Sequence, residues 1–148
     1  MKKIIPLLLL ILFISCHSEK KQEYQANELL ETDLAFSAMS EELGVNHAFM
    51  HFCAREGVLL RENTRPVEGQ SSVIKYLANI NDDALVLTWE PLHARVAKSG
   101  ELGYTYGIYE LVIKESGKSE KGTYVSIWTK QDQEWKWVLD SGNQGLGE

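Results

Sequence analysis

Two carboxylates stand where acid–base chemistry would need them. Asp140 lies in the otherwise apolar run Trp137-Val138-Leu139-Asp140, and Asp33 interrupts the apolar positions of a helical pattern. A carboxyl held among apolar neighbours titrates high and can serve as a general base. Each also has a plainer and commoner role. Asp140 can be a strand-end acid bonding the turn amides of Ser141-Gly142-Asn143, and Asp33 can brace a neighbouring loop through backbone bonds. Asp140 and Asp33 are the candidate catalytic residues, and no fuller catalytic set is visible. The chain has no Gly-x-Ser-x-Gly elbow and no Gly-rich phosphate loop, so serine-hydrolase and phosphate-loop chemistry are set aside. His47 and His51 lie four apart on one helical stretch, a metal-like spacing. No third ligand follows them and there is no His-Glu-x-x-His frame, so neither a metal nor a cofactor is expected. Cys53 sits in the apolar stretch Ala48-Phe49-Met50-His51-Phe52-Cys53-Ala54 and reads as a small hydrophobe rather than a nucleophile.

Aromatic residues supply the second candidate set. Trp89, Tyr104, Tyr106, Tyr124 and Trp128 fall in extended stretches, with His93 and Arg95 nearby. Most such rings pack a core, and a few lining a cavity would suit a flat, apolar ligand. The expected pocket residues are Trp89, His93, Tyr104, Tyr106, Tyr124 and Trp128. Because strand residues alternate faces, each of these either turns inward or out to solvent. Gly103, Thr105, Gly107 and Tyr109 share one face, opposite Tyr104, Tyr106 and Ile108. The small residues either leave room for a ligand or let a neighbouring element sit close. Aromatics turned outward would instead suit face-to-face homodimerisation.

The elements that must position these groups are legible in the pattern. Leu29, Leu30, Leu34, Phe36 and Met39 recur at helical spacing, Gly44 interrupts, and Asn46 to Phe52 continues as a second helix. Gly57 to Arg61 is a short strand, Asn63-Thr64-Arg65-Pro66 a turn, and Gly69 to Leu77 a third helix. After Asp82-Asp83 the character changes. Leu85–Ala97, Leu102–Ile113, Gly122–Lys130 and Glu134–Ser141 are rich in Val, Ile, Tyr, Trp and Thr, with hairpin connections between them. Helices followed by such strands indicate an α+β domain, its helices packed on one face of a curved antiparallel sheet.

The start of the chain concerns location. Met1-Lys2-Lys3 is basic, Ile4 to Ile14 is apolar apart from Pro6, and Ser15 precedes Cys16. This is the layout of a secretory signal over residues 1–15 and is too short for a membrane span, which needs roughly 20 apolar residues. Phe13-Ile14-Ser15-Cys16 resembles a bacterial lipobox. That resemblance implies a lipid on Cys16 and a chain anchored to the bacterial cell envelope, on the periplasmic or outer-membrane side. Residues 16–26 then read as the lipidated cysteine and a polar tether, and 27–148 as one domain. With Cys16 lipidated, the only other cysteine, Cys53, has no partner for a disulfide. Losing Lys2 and Lys3 takes the net charge from −6 to −8, which argues against nucleic acid as a partner.

The order of elements also resembles the NTF2-like, cystatin-like and SnoaL-related superfamily, in particular its bacterial DUF4440 branch. The similar residues are Asp33 and Phe36, Gly44 with Ala48-Phe49, Gly57-Val58-Leu59-Leu60 and Pro66-Val67-Glu68-Gly69-Gln70. The match continues through Ser99 to Tyr109, Gly122-Thr123-Tyr124 and Ile127-Trp128, and ends on Trp135 to Gly142. The resemblance implies a conical cavity between sheet and helices. It does not select one activity, because enzymes, ligand binders and assembly modules share that scaffold. The expected function is binding of a small, partly apolar ligand. The alternatives are an isomerase- or cyclase-like enzyme using an Asp base without metal, and a homodimeric envelope interaction module.

Overall fold

The computed structural model describes the backbone of residues 6–147 and the side chains of residues 22–147. Cys16 and the side chains of the expected signal segment lie outside the described residues. The elements run α1 (Pro6–Leu43), α2 (Val45–Phe52), β1 (Cys53–Leu60), β2 (Val67–Glu68), α3 (Gln70–Leu77), β3 (Leu85–Val96), β4 (Leu102–Ile113), β5 (Lys118–Gln131) and β6 (Glu134–Gln144). They form an α+β domain with one six-stranded sheet in the order β2-β1-β6-β5-β4-β3. Strands β3 to β6 are an antiparallel meander, as their hairpin connections require.

Two expectations need correction. The sheet is mixed rather than wholly antiparallel, because β1 pairs with β6 in parallel, Leu59 opposite Asp140. A short apolar strand carries no sign of its partner or of that partner's direction. The domain also begins before residue 27. Gln22 and Gln25 belong to α1: the Gln22 amide donates to the Val96 carbonyl at 3.4 Å, and Gln25 packs against Gly100. Polar residues without apolar periodicity read as a tether because their partners are distant in sequence.

The inner face of α1 buries Leu29, Asp33, Phe36, Ser37 and Ser40, a spacing that winds one stripe around the helix. This stripe lies along β3, the edge strand, and meets its unpaired backbone. The Trp89 amide donates to Ser37 Oγ at 2.8 Å, and Ser40 Oγ donates to the Leu87 carbonyl at 2.8 Å. An edge otherwise open to another chain is thereby closed. Phe36 anchors the core, its ring centroid 4.5 Å from Trp89, 4.8 Å from Phe49 and 4.9 Å from Phe52. Gly44, at φ 90, lets the chain turn sharply from α1 into α2, whose first amides are capped from afar by Asp82.

A bulge in β3 decides which side chains look inward. Pairing with β4 shifts between Pro91 and His93, so inward positions run through Trp89 and Pro91 before the bulge and through Ala94 and Val96 after it.

Candidate functional site

The helices and the concave sheet face enclose a cavity of about 920 Å³, open at one end. Its mouth lies where β3 begins and β1 and β6 end. One wall is apolar, built from Phe49 of α2, Ile80 after α3, Leu87 and Trp89 of β3, and Leu111 of β4. The other wall is polar and comes from Arg61 and Glu62 after β1 and from Asp140, Ser141 and Asn143 of β6. Tyr109 and Tyr124 also line the space.

Asp140 is in the middle of β6, not at a strand end, and it does not bond the turn amides. It is 5% exposed. One carboxylate oxygen accepts from Arg61 Nη2 at 2.8 Å, and the other accepts from Ser126 Oγ at 2.7 Å. Arg61 reaches it because parallel pairing sets the end of β1 beside the middle of β6. The guanidinium also donates to the Leu60 carbonyl at 2.9 Å and lies 5.7 Å from the Phe49 ring centroid. A buried carboxylate paired this way is a fixed charge in the cavity wall.

Asp33 does not line the cavity. It is fully buried behind two of the lining rings and accepts Trp89 Nε1 and the Tyr124 hydroxyl, each at 2.8 Å. Burial pushes its carboxyl above the usual carboxylate range, while donors at Thr105, Tyr124 and Trp89 oppose that rise. Burial and then the Asp33 charge raise the Tyr124 hydroxyl far above an ordinary phenol, which keeps its proton on the bond to Asp33. Asp33 is therefore a positioning residue: it holds the Trp89 indole and the Tyr124 ring in place. The expected catalytic role for Asp33 fails on access, since a ligand cannot touch it.

Three of the six expected pocket aromatic and histidine positions point away. His93, Tyr104 and Tyr106 lie on the outer sheet face, where His93 stacks 5.5 Å from Tyr106. The β3 bulge turns His93 outward despite its even spacing from Trp89. Tyr104 and Tyr106 follow strict alternation opposite Gly103, Thr105 and Gly107, and that small-residue face is the inward one. The small residues serve close approach rather than a ligand: a Cβ on Gly103 would stand 2.6 Å from Leu29 Cδ2, and one on Gly107 would strike the Glu90 carbonyl. Trp128 is inward but sealed in the core, its indole donating to Thr105 Oγ1 at 2.8 Å. Of the expected set, Trp89, Tyr124 and Asp140 meet at the cavity.

Arg61 and Tyr109 line the cavity and were not among the expected pocket residues. Tyr109 shares the inward face of β4, a signal present in the alternation. Arg61 had no local signal, because its partner Asp140 is 79 residues away. Cys53 is buried and its thiol is pushed up to about 12, chiefly by burial, so it is an inert core group. His47 and His51 are exposed on α2, and among the described residues no cluster of His, Cys, Asp and Glu could hold a metal ion.

No protein-family model matches the sequence, and no curated protein matches it. Solved structures do. An NTF2-like protein with a cystatin-like fold from Novosphingobium aromaticivorans is 10% identical, with a TM-score of 0.65 over 99% of this chain and 94% of that one. The chain has the NTF2-like fold. An NTF2-like superfamily protein from Salmonella enterica superposes with a TM-score of 0.64 at 13% identity, over 85% of this chain and 97% of that one. A ketosteroid isomerase-like protein from Erwinia carotovora atroseptica gives 0.63 at 11% identity, over 80% of this chain and 95% of that one. At such identities the likeness carries the architecture of the NTF2-like domain and none of its neighbours' side-chain chemistry.

Proposed function

We propose that this NTF2-like domain binds a small, partly apolar molecule in its cavity. The observation that supports this reading best is the cavity itself, about 920 Å³ and open at one end, lined by apolar side chains and by the Arg61–Asp140 ion pair. That size and lining suit a drug-sized ligand oriented by a few polar groups. The ketosteroid isomerase-like neighbour makes acid–base chemistry the alternative. Binding is favoured over it because Arg61 and Ser126 hold Asp140 in place and Asp33 is not among the residues that line the cavity. A thermal-shift screen of steroid-like and aromatic compounds tests the reading. A ligand at about a hundred times its Kd should add about 2.7 kcal/mol, which is several degrees for a domain of this size. No stabilisation by any compound would count against it.

We also propose that the domain is of the DUF4440 type, exported and held at the bacterial envelope by lipid on Cys16. The basic start, the apolar run and Ser15-Cys16 support this. Among the described residues no helix is long and apolar enough to cross a membrane. In a bacterial host the full chain should fractionate with membranes and partition into detergent, and Cys16→Ser should release it. Unchanged membrane association of the variant would set the lipid aside.

The outer sheet face favours a second reading, a homodimer. Leu92, Leu102, Tyr104 and Tyr106 are between 36% and 56% exposed there, an apolar patch of the kind that marks interfaces. Light scattering that shows a monomer at high concentration would dismiss it.

A further inference from the structure

We propose that the domain meets the bilayer with the end that carries its β3–β4 and β5–β6 hairpins. The cavity mouth, at the opposite end, then opens into the aqueous space. The proposal rests on the reading of Cys16 as the lipid anchor and names the surface that this anchor holds to the membrane.

The direction of α1 sets the two ends apart. Its first described side chain, Gln22, donates to the Val96 carbonyl at the close of β3, and Gln25 packs on Gly100 in the β3–β4 hairpin. Further along, Ser37 Oγ accepts from the Trp89 amide, and Ser40 Oγ donates to the Leu87 carbonyl near the start of the same strand. The helix therefore runs antiparallel to β3. Leu85 and Leu87 line the cavity together with Arg61, Glu62 and Gln144, so Ser40 is level with the mouth and Gln22 with the β3–β4 hairpin. Thr129 of β5 pairs with Leu102 of β4 and with Lys136 of β6. That pairing puts the β5–β6 hairpin at the Gln22 end as well. The β4–β5 hairpin lies at the mouth end, because Ile113 pairs with Leu85.

Two lengths decide which end the lipid holds. Cys16 stands six residues before Gln22, and a chain of that length spans at most about 22 Å when fully extended. From Gln22 to Ser40 the helix rises about 27 Å. With the mouth against the bilayer, Gln22 would stand farther from the lipid than the connecting chain can reach. With the hairpin end against it, the connection is slack. The residues near the anchor suit a headgroup layer. Lys20 and Lys21 in the connecting sequence are of the type drawn to an anionic leaflet. Tyr24 is 72% exposed and has the amphipathic ring favoured at the membrane–water boundary. Lys98 is exposed in the β3–β4 hairpin. A guest of the cavity thus arrives through water and not by sliding out of the anchoring bilayer.

The full chain, exported and lipidated in a bacterial host, tests this orientation on vesicles of phosphatidylethanolamine and phosphatidylglycerol. The vesicles carry a headgroup nitroxide lipid, a short-range quencher of fluorescence. One added cysteine takes a fluorophore selectively, since Cys53 is buried and lipidation consumes the Cys16 thiol. The fluorophore is placed on Ser99→Cys in the β3–β4 hairpin or on Ser116→Cys in the β4–β5 hairpin, both exposed positions. The nitroxide should remove most of the emission from Ser99→Cys and leave that from Ser116→Cys unchanged. Lys98→Cys and Glu115→Cys repeat the comparison if either serine variant does not fold. Equal loss at the two sites, greater loss at Ser116→Cys, or no loss at either from a vesicle-bound chain would overturn the orientation and leave the anchor standing. A chain that carries no lipid by mass, or that stays off the vesicles, would overturn the anchor and the orientation with it.

Discussion

Arg61→Met should lower the unfolding free energy by about 2–3 kcal/mol, read as a shifted urea midpoint at unchanged slope. Removing one partner of a buried ion pair leaves the other charged and stranded. Asp140 would keep Ser126 as its only donor among the described residues, in a site where it is 5% exposed. Loss of one partner in a fully buried pair costs about 3–5 kcal/mol. The lower figure follows because the Arg61 side chain is 27% exposed, which lets water screen the pair. Removing both charges together, Arg61→Met with Asp140→Leu, should cost less than the sum of the two single changes, since neither charge is then left alone. An Arg61→Met protein within about 0.5 kcal/mol of the original would show that the pair does not hold the cavity wall.

Asp33 gives the second large effect, in which the two obvious substitutions part company. Asp33→Ala removes the acceptor for both Trp89 Nε1 and the Tyr124 hydroxyl and opens a void beside Phe36. Two orphaned donors at about 1–3 kcal/mol each make a loss of about 3 kcal/mol or more. Asp33→Asn keeps the shape and one acceptor oxygen without the buried charge, so at neutral pH it should stay within about 1 kcal/mol of the original. The pH dependence has the opposite sign to that of a salt-bridged acid. Burial raises the folded-state pKa of Asp33 above its ordinary value of 3.8, so between those two values the folded chain binds more protons than the unfolded one. Stability from this group is therefore greatest at acid pH, falls as pH rises through that window, and is flat above it. The Asn variant should lack this decline. A wild-type protein and an Asn variant with identical pH profiles would mean that the carboxyl titrates normally.

Much of the fold was legible because local chemistry repeats its message. The α1 stripe, the glycine before α2 and the hairpin connections around Gly100, Gly117 and Asp132 each encode an element within a few residues. The candidate site was only half legible. Trp89, Tyr124 and Asp140 were identified from alternation and an acid in an apolar strand. His93 was misplaced because one extra residue in β3 reverses the phase, and nothing local marks a bulge beyond Pro91. Tyr104 and Tyr106 were named as pocket candidates with the inward face of their strand left open. In fact the inward face of β4 needed small residues, so that Leu29 and the β3 backbone could sit close. Arg61 was invisible for a different reason. Its meaning comes from the parallel β1–β6 pairing, which depends on how the whole sheet closes. Asp33 was a candidate base in the sequence, and its bonds to Trp89 and Tyr124 could not be read there because both partners are distant in the chain.

A crystal structure of the domain grown with the most stabilising compound of the thermal-shift screen tests the central claim most directly. The compound should lie in the cavity with its apolar part against Trp89 and Leu111. A cavity filled by the protein's own side chains, with the compound absent or held on the outer sheet face, would contradict it.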